Sequence, residues 1–209
     1  MPGRLLALEG IDGAGKTSVW RGLRERCAAR GLDVVWGTDP GGTDLGRRLR
    51  ALLLAPAGAD GPAPAAELLL YLASRAQLVH EVIAPALAAG RTVVLDRYWL
   101  STLAYQGAAG ALPPERLRTW VLDGVVDERS RFPDEIAWLE LPVEAGWNRL
   151  KRAKDRIESR GLDYLRAVRA RYLDELGRLP PRVRVRSVDA ARPPAEVVDL
   201  LEAAWFPGR

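Results

Sequence analysis

The sequence has few of the residues that build disulfides and transition-metal sites, with one cysteine, one histidine and one methionine among 209 residues. Cys27 alone cannot form an intramolecular disulfide, so a disulfide-stapled extracellular domain is excluded and a cytoplasmic protein is expected. His80 lacks cysteine or carboxylate companions at ligand spacing, which argues against a zinc centre. No apolar run reaches membrane-spanning length, and residue 4 leads directly into an apolar strand. We therefore predict neither a membrane partner nor a signal peptide.

Lysine is also scarce. Only Lys16, Lys151 and Lys154 are lysines among 31 basic residues, and the arginines are mixed with 27 acidic residues to give a formal net charge of +4. No basic block is interleaved with aromatic residues, as a surface that binds single-stranded nucleic acid would show. Small polyanions explain this charge balance as well as nucleic acid does, and a nucleic-acid partner is the weaker alternative.

A complete phosphate-binding loop surrounds the first lysine. Residues 10–17 read Gly-Ile-Asp-Gly-Ala-Gly-Lys-Thr, between an apolar strand and a segment rich in helix formers. The glycines allow successive backbone N–H groups to converge on a phosphate at a helix N-terminus. Lys16 can then reach the β- and γ-phosphates, while the Thr17 hydroxyl can hold Mg²⁺. The predicted ATP-binding residues are Gly10, Ile11, Asp12, Gly13, Ala14, Gly15, Lys16, Thr17 and Ser18.

Strand and helix patterns alternate along the chain. Strands are predicted at 5–9, 33–36, 92–96, 136–141 and 183–188. Helices are predicted near 18–30, 44–54, 65–89, 99–123, 143–154, 162–178 and 194–205. This alternation indicates a three-layer α/β fold, with a parallel sheet of about five strands flanked by helices. We expect one domain over residues 1–209, with a loop at 55–64.

The carboxyl ends of the predicted strands carry further polar residues. Ligands of open α/β sheets bind at this edge, where the phosphate loop, residues 38–43 and residues 96–98 would meet. Asp96 ends an apolar strand, the position at which phosphate-loop proteins keep an acid for Mg²⁺ or its waters. Arg97 can neutralise phosphate oxygens in the transition state. We therefore predict Lys16, Asp96 and Arg97 as catalytic residues, and Thr17 with Asp96 as the metal-binding pair.

A second basic segment, residues 149–156, contains the other two lysines. It can be an exposed helical face, or a lid that closes over ATP and excludes water from the transferred phosphoryl group. Both interpretations remain open from the residues alone.

Five motifs occur in a fixed order. They are residues 9–17, 39–43 (Asp-Pro-Gly-Gly-Thr), 69–77 (Leu-Leu-Tyr-Leu-Ala-Ser-Arg-Ala-Gln), 96–98 (Asp-Arg-Tyr) and 101–107 (Ser-Thr-Leu-Ala-Tyr-Gln-Gly), followed by Asp-Arg-Ile-Glu at 155–158. From residue 4 to about 190 the sequence resembles the thymidylate (dTMP) kinases, a family of P-loop nucleoside monophosphate kinases. The resemblance implies transfer of the γ-phosphoryl group of Mg·ATP to dTMP, giving dTDP and ADP. It also implies a homodimer and a lid at about 149–160.

The resemblance implies roles toward the sugar and phosphate of dTMP. Asp12 would accept a hydrogen bond from the 3′-hydroxyl, and Arg50 with Arg97 would grip the phosphate. Tyr105 would lie against C2′ and leave no room for a ribose hydroxyl.

It implies a second set of roles toward the base. Tyr71 stands where the family usually has phenylalanine stacked on thymine. Arg75, one helical turn later, would present its guanidinium to a thymine carbonyl. Gln106 would hydrogen-bond the base edge, and Ser101 would contact the base or the phosphate side of this pocket.

The sequence also departs from the family pattern. The usual Arg-Glu-Pro-Gly-Gly-Thr begins here with Thr38-Asp39, which loses an arginine. This change keeps open another acceptor (dUMP, UMP or a deoxynucleoside), while a non-catalytic ATP-binding regulatory protein is the alternative from a different class. A phosphate loop with glycine at position 13 is the type in which lid arginines assist transfer, here Arg149, Arg152 and Arg156. The adenine pocket is expected near residues 190–193.

Overall fold

The computed structural model describes residues 3–55, 62–123, 132–150 and 160–208. Its strands are β1 (Leu5–Glu9), β2 (Val34–Thr38), β3 (Thr92–Asp96), β4 (Glu135–Glu140) and β5 (Arg184–Asp189). Its α-helices are α1 (Lys16–Ala29), α2 (Asp44–Leu54), α3 (Pro64–Leu78), α4 (Ala84–Ala88), α5 (Trp99–Ala108), α6 (Pro114–Asp123), α7 (Val143–Leu150), α8 (Leu162–Gly177) and α9 (Pro194–Trp205).

The strands form a parallel sheet in the order β2-β3-β1-β4-β5, so the predicted α/β fold is confirmed. β1 lies at the centre and is buried along its whole length, as its continuous apolar sequence predicts. β5 lies at the edge of the sheet and is mostly exposed. Helices α1 and α9 pack together, as do α5 and α8.

The predicted strands 5–9 and 92–96 and the predicted helices 44–54 and 194–205 have the predicted bounds. The single helix predicted over 99–123 is wrong, because α5 ends at Ala108 and α6 begins at Pro114. Gly110 adopts a positive φ of 69° in the connection, and a proline is tolerated in the first turn of a helix but not in its interior.

The helix predicted over 65–89 is interrupted by a wider π-helical turn, Val79–Ile83. Pro85 lies two residues after the end of this turn, and a proline lacks the amide hydrogen and crowds the carbonyl four residues before it. Of the helix predicted over 143–154, α7 covers residues 143–150, and the remainder lies outside the described residues. Among the described residues, none of the helices combines the length and the apolar character needed to cross a membrane.

Candidate active site

A cleft of about 360 Å³ lies at the carboxyl edge of the sheet. Its walls come from the phosphate loop, the segments after β2 and β3, and the helices α3 and α5. The predicted site residues that line it are Asp12, Gly13, Gly15, Lys16, Thr17, Ser18, Arg50, Tyr71, Asp96, Arg97, Ser101, Tyr105 and Gln106. The loop that the sequence predicts to bind nucleotide phosphates and the helices predicted to hold the acceptor therefore face one cavity.

The phosphate loop packs closely against α7. Gly13 has a φ of 81°, and a Cβ atom built on it would lie 2.4 Å from the carbonyl oxygen of Gly146. Gly15 also has a positive φ, of 84°, but no atom lies within 4 Å of its hypothetical Cβ. Position 13 therefore needs glycine both for its backbone conformation and for the approach of α7, whereas position 15 needs it only for the conformation.

This difference gives a first prediction. Gly15→Ala should lower the free energy of unfolding of the ligand-free protein by roughly 1 kcal/mol, the cost of a left-handed conformation for a residue with a Cβ. Gly13→Ala should cost about 1–3 kcal/mol more, because the loop or α7 must also move. Urea unfolding of both variants measures the difference, and equal losses would show that the contact between Gly13 and Gly146 is not tight.

Lys16 is buried at the start of α1, and its ammonium group donates a hydrogen bond of 2.7 Å to the carbonyl oxygen of Ile11. Burial, with a smaller contribution from the positive charge of Arg97, lowers the pKa of Lys16 to about 8. A desolvated ammonium group gains more from a nearby anion than a solvated one does. The Lys16 ammonium group is therefore well placed to bind an anionic phosphate.

Thr17 and Asp96, the predicted metal pair, lie together. The Thr17 hydroxyl donates to Oδ2 of Asp96 over 2.9 Å. A hydroxyl and a carboxylate are hard oxygen donors of the kind that Mg²⁺ prefers, and Mg²⁺ usually takes its remaining ligands from water and substrate phosphates. No group of three or more His, Cys, Asp or Glu in the described part of the chain could hold a metal by itself. The residues present thus fit a magnesium ion that arrives with a nucleotide.

Arg97 stands at the centre of the cleft in a strained backbone conformation, with a φ of 67°. Its guanidinium donates to the carbonyl oxygen of Gly10 over 3.2 Å, to the Ser101 hydroxyl over 3.1 Å and to a carboxylate oxygen of Asp12. It also lies 5.0 Å above the ring of Tyr105. Burial alone would raise the pKa of Asp12, but the charges of Arg97 and Lys16 outweigh it and lower that pKa, so the carboxylate remains ionised.

Two further buried residues, Glu9 and Tyr172, contact Arg97 or its partner Ser101. The sequence analysis did not assign them to the site. Glu9 accepts the Ser101 hydroxyl over 2.6 Å and the Tyr172 hydroxyl over 3.1 Å, and Tyr172 in turn accepts from Arg97 over 3.2 Å. Burial raises the pKa of Glu9. A glutamate at the end of an apolar strand was a usable signal, because an acid is rarely buried without a partner. Tyr172 carries no such signal, since it reaches the site only through the packing of α8 on α5.

Arg75 lies behind the wall of the cleft and is almost fully buried. Its Nε donates to Oδ2 of Asp39 over 2.6 Å, and its Nη2 donates to the Thr102 hydroxyl. Nη1 of Arg75 and Oδ1 of Asp39 have no hydrogen-bond partner among the described residues. Asp39, which departs from the family pattern, therefore holds Arg75 in place. Thr102, which the sequence analysis missed, lines the cleft in front of it.

Gln106 lines the cleft and is held there by an acid of α3. Its amide nitrogen donates to Oε1 of Glu67 over 3.0 Å, and Oε2 of Glu67 accepts from Arg160 over 2.8 Å. Tyr71 also lines the cleft and is half-buried. Glu67 and Arg160 were also missed, because they are far apart in sequence from Gln106 and from each other.

Two predicted arginines donate hydrogen bonds to backbone carbonyl groups near the cleft. Arg50 donates to the carbonyl oxygen of Pro40 over 3.0 Å. Arg149 lies outside the lining and donates to the carbonyl oxygens of Gly13, over 3.2 Å, and Ala190, over 3.0 Å. It thus connects the phosphate loop to the turn where the adenine pocket is expected. The predicted lid arginines Arg152 and Arg156 lie outside the described residues.

Comparison with known proteins identifies the family of the chain. The family model described as Thymidylate kinase matches residues 8–201. A thymidylate kinase of Bifidobacterium longum (strain DJO10A) is 40% identical over 210 residues, which cover 98% of this chain and 95% of that protein. Thymidylate kinases of Pseudomonas entomophila (strain L48) and Synechococcus sp. (strain RCC307) are 41% and 43% identical, over 97% and 94% of this chain and 95% and 92% of theirs. The chain therefore belongs to the thymidylate kinase family.

Proposed function

We propose that this chain transfers the γ-phosphoryl group of ATP to dTMP, giving ADP and dTDP, in the cleft between the phosphate loop and the helices α3 and α5. The observation that carries the proposal is that a complete phosphate loop and an arginine held by Asp12 line the same cavity as an aromatic ring and an amide. The first pair suits two phosphate-bearing substrates, and the second pair suits a planar base.

The donor would lie along the phosphate loop. The backbone N–H groups and the N-terminus of α1 would bind its β-phosphate, and Lys16 would exchange the carbonyl of Ile11 for phosphate oxygens. Thr17 and Asp96 would hold Mg²⁺, directly or through its waters. When bound, this ion neutralises charge on the β- and γ-phosphates. Arg149, which is anchored to the loop, would keep the loop and the adenine side in register.

The acceptor phosphate would lie between Arg97 and Arg50. A nucleotide phosphate is already anionic, so no general base is needed, and the task of the residues is to place charge around an in-line transfer. Asp12, which stays ionised, can accept the 3′-hydroxyl of the sugar. Tyr105, stacked beneath Arg97, would fill the space that a 2′-hydroxyl needs.

The base would lie between Tyr71 and the wall formed by Thr102 and Gln106, with Arg75 behind it. The unpaired Nη1 of the buried Arg75 is a donor that a thymine carbonyl could satisfy after a small movement of Thr102. We further propose a cytoplasmic homodimer, with residues 1–209 as one domain and residues 149–160 as its lid.

The test is an ADP-release assay with Mg·ATP against dTMP, dUMP, UMP, dCMP, dGMP and thymidine. A clear preference for dTMP is expected. A preference for another acceptor would keep the fold but reject the assignment of the base pocket. ATP binding with no transfer to any acceptor would instead favour a regulatory protein.

A second prediction concerns the base pocket. Arg75→Ala should lower kcat/KM for dTMP by about 10²-fold, because a site built to donate to a carbonyl loses its donor, while the KM for ATP changes little. Steady-state kinetics, with each substrate varied in turn, measures the effect on dTMP and the effect on ATP separately. Asp39→Asn is the matched control, because it weakens the ion pair with Arg75 but keeps the guanidinium. Its kcat/KM for dTMP should therefore fall less than that of Arg75→Ala. An unchanged KM for dTMP in Arg75→Ala would remove Arg75 from the pocket.

A further inference from the structure

The amide of Gln106 can present either of two edges to a base. Its carbonyl oxygen accepts hydrogen bonds and its NH₂ group donates them, and the two lie on opposite sides of the planar amide. Which edge faces the cleft is decided by the group on the other side. In this chain that group is Glu67, a residue of α3 that is fully buried.

Glu67 determines which edge of the Gln106 amide faces it. A carboxylate accepts hydrogen bonds and does not donate them, and Arg160, which only donates, forms an ion pair of 2.8 Å with the second oxygen of Glu67. Gln106 must therefore turn its NH₂ group to Glu67, as the contact of 3.0 Å shows. Its carbonyl oxygen then lies on the opposite side of the amide, and Gln106 lines the cleft.

Arg160 is itself anchored on both sides. Its guanidinium lies 5.0 Å above the ring of Tyr164 and donates to the Tyr164 hydroxyl over 3.0 Å. That hydroxyl donates in turn to the backbone carbonyl of Tyr105 over 2.8 Å. Burial raises the pKa of Tyr164 to about 12, so the hydroxyl keeps its proton. The cation that pairs with Glu67 is thus connected to the two adjacent residues of α5 that line the cleft, Tyr105 and Gln106.

We infer that Glu67 is a positioning residue that makes Gln106 a hydrogen-bond acceptor toward the pyrimidine, and so selects bases with a proton on N3 over cytosine. Thymine and uracil carry N3–H, which can donate to the Gln106 carbonyl oxygen. N3 of cytosine carries a lone pair, which would face that oxygen and leave both groups unsatisfied. The inference rests on the proposed function and adds to it a determinant of acceptor choice outside the cleft.

The variant Glu67→Gln tests the inference with a predicted reversal. The single carbonyl oxygen of the new glutamine is claimed by Arg160, so its NH₂ group faces Gln106. Gln106 must then turn its own oxygen away from the cleft and present its NH₂ group, which matches N3 of cytosine. The ratio of kcat/KM for dTMP to that for dCMP should fall at least about tenfold. The ratio of dTMP to dUMP should stay within about twofold, because both bases carry N3–H.

The double variant Glu67→Gln with Arg160→Met provides the rescue. Without Arg160, the new glutamine can offer its oxygen to Gln106, and the preference for dTMP over dCMP should return toward that of the unmodified protein. A purely structural role of Glu67 predicts equal losses for all three acceptors and no rescue, and either result would overturn the inference. If Glu67→Gln does not fold, Gln106→Met serves instead, and an unchanged dTMP-to-dCMP ratio there would overturn it as well.

The experiments distinguish a failure of the proposed function from a failure of the role of Glu67. An unmodified protein without activity on dTMP would reject the proposed function. An unmodified protein that prefers dTMP, with the same dTMP-to-dCMP ratio in Glu67→Gln, would reject only the role of Glu67.

Discussion

Lys16→Ala is expected to abolish phosphoryl transfer to every acceptor, with a loss in kcat of about 10³-fold or more. Lys16 is the only lysine that reaches the cleft in the described part of the chain, and its desolvated ammonium group is directed at the phosphate loop. Removing it would leave the transferred group without the cation that we assign to it.

The controls for this variant separate chemistry from folding. The buried ammonium group is costly in the free protein, because burial lowers its pKa to about 8. Its removal should therefore leave the Tm of the ligand-free protein unchanged or slightly higher. Binding of dTMP, measured by calorimetry, should persist. A variant that keeps more than about a tenth of the kcat would contradict the assigned role of Lys16.

Arg97→Met is expected to lower kcat/KM for dTMP by about 10²- to 10⁴-fold. The guanidinium bridges Asp12, Ser101 and the phosphate loop, and its left-handed backbone conformation is a strain that the surrounding contacts must maintain. Methionine fills similar space but offers no donor to a phosphate. It also removes the guanidinium that pairs with Asp12.

Arg97→Lys distinguishes charge from geometry. Lysine restores one positive charge but cannot reproduce the planar fork, so it should recover only part of the loss. Arg91→Met, which breaks an exposed ion pair with Asp33, is the matched control and should stay within about twofold of the unmodified enzyme. If Arg97→Met affected the KM for ATP as strongly as that for dTMP, the assignment of Arg97 to the acceptor phosphate would be wrong.

Much of the fold follows from local sequence signals. The central strand and the phosphate loop are predicted at their observed positions, because apolar runs, glycines and a following helix are all encoded within about 25 consecutive residues. The break between α5 and α6 was missed, although Gly110 and the two prolines at 113 and 114 mark it. An apolar pattern on both sides of the break masked these signals.

Some residues of the site could likewise be predicted from local sequence signals, and others could not. Thr17 and Asp96 could be paired from the sequence, because parallel strands bring their carboxyl ends to one edge. Glu67, Thr102, Arg160 and Tyr172 could not be assigned, since each acts through a side-chain contact with a residue at least 27 positions away. The partnership of Arg75 with Asp39 was equally hidden. It gives a physical reason for an acid after β2, where the sequence alone showed only a departure from the family pattern.

The central claim is that one cleft joins a phosphate-loop donor site to a dTMP acceptor site. Its most direct test is to incubate the protein with Mg·ATP and dTMP, separate the nucleotides by anion exchange and quantify all four. The account predicts that ADP and dTDP appear in equal amounts, and that neither forms when dTMP is omitted. ADP without dTDP, or dTMP left intact while another monophosphate is consumed, would contradict it.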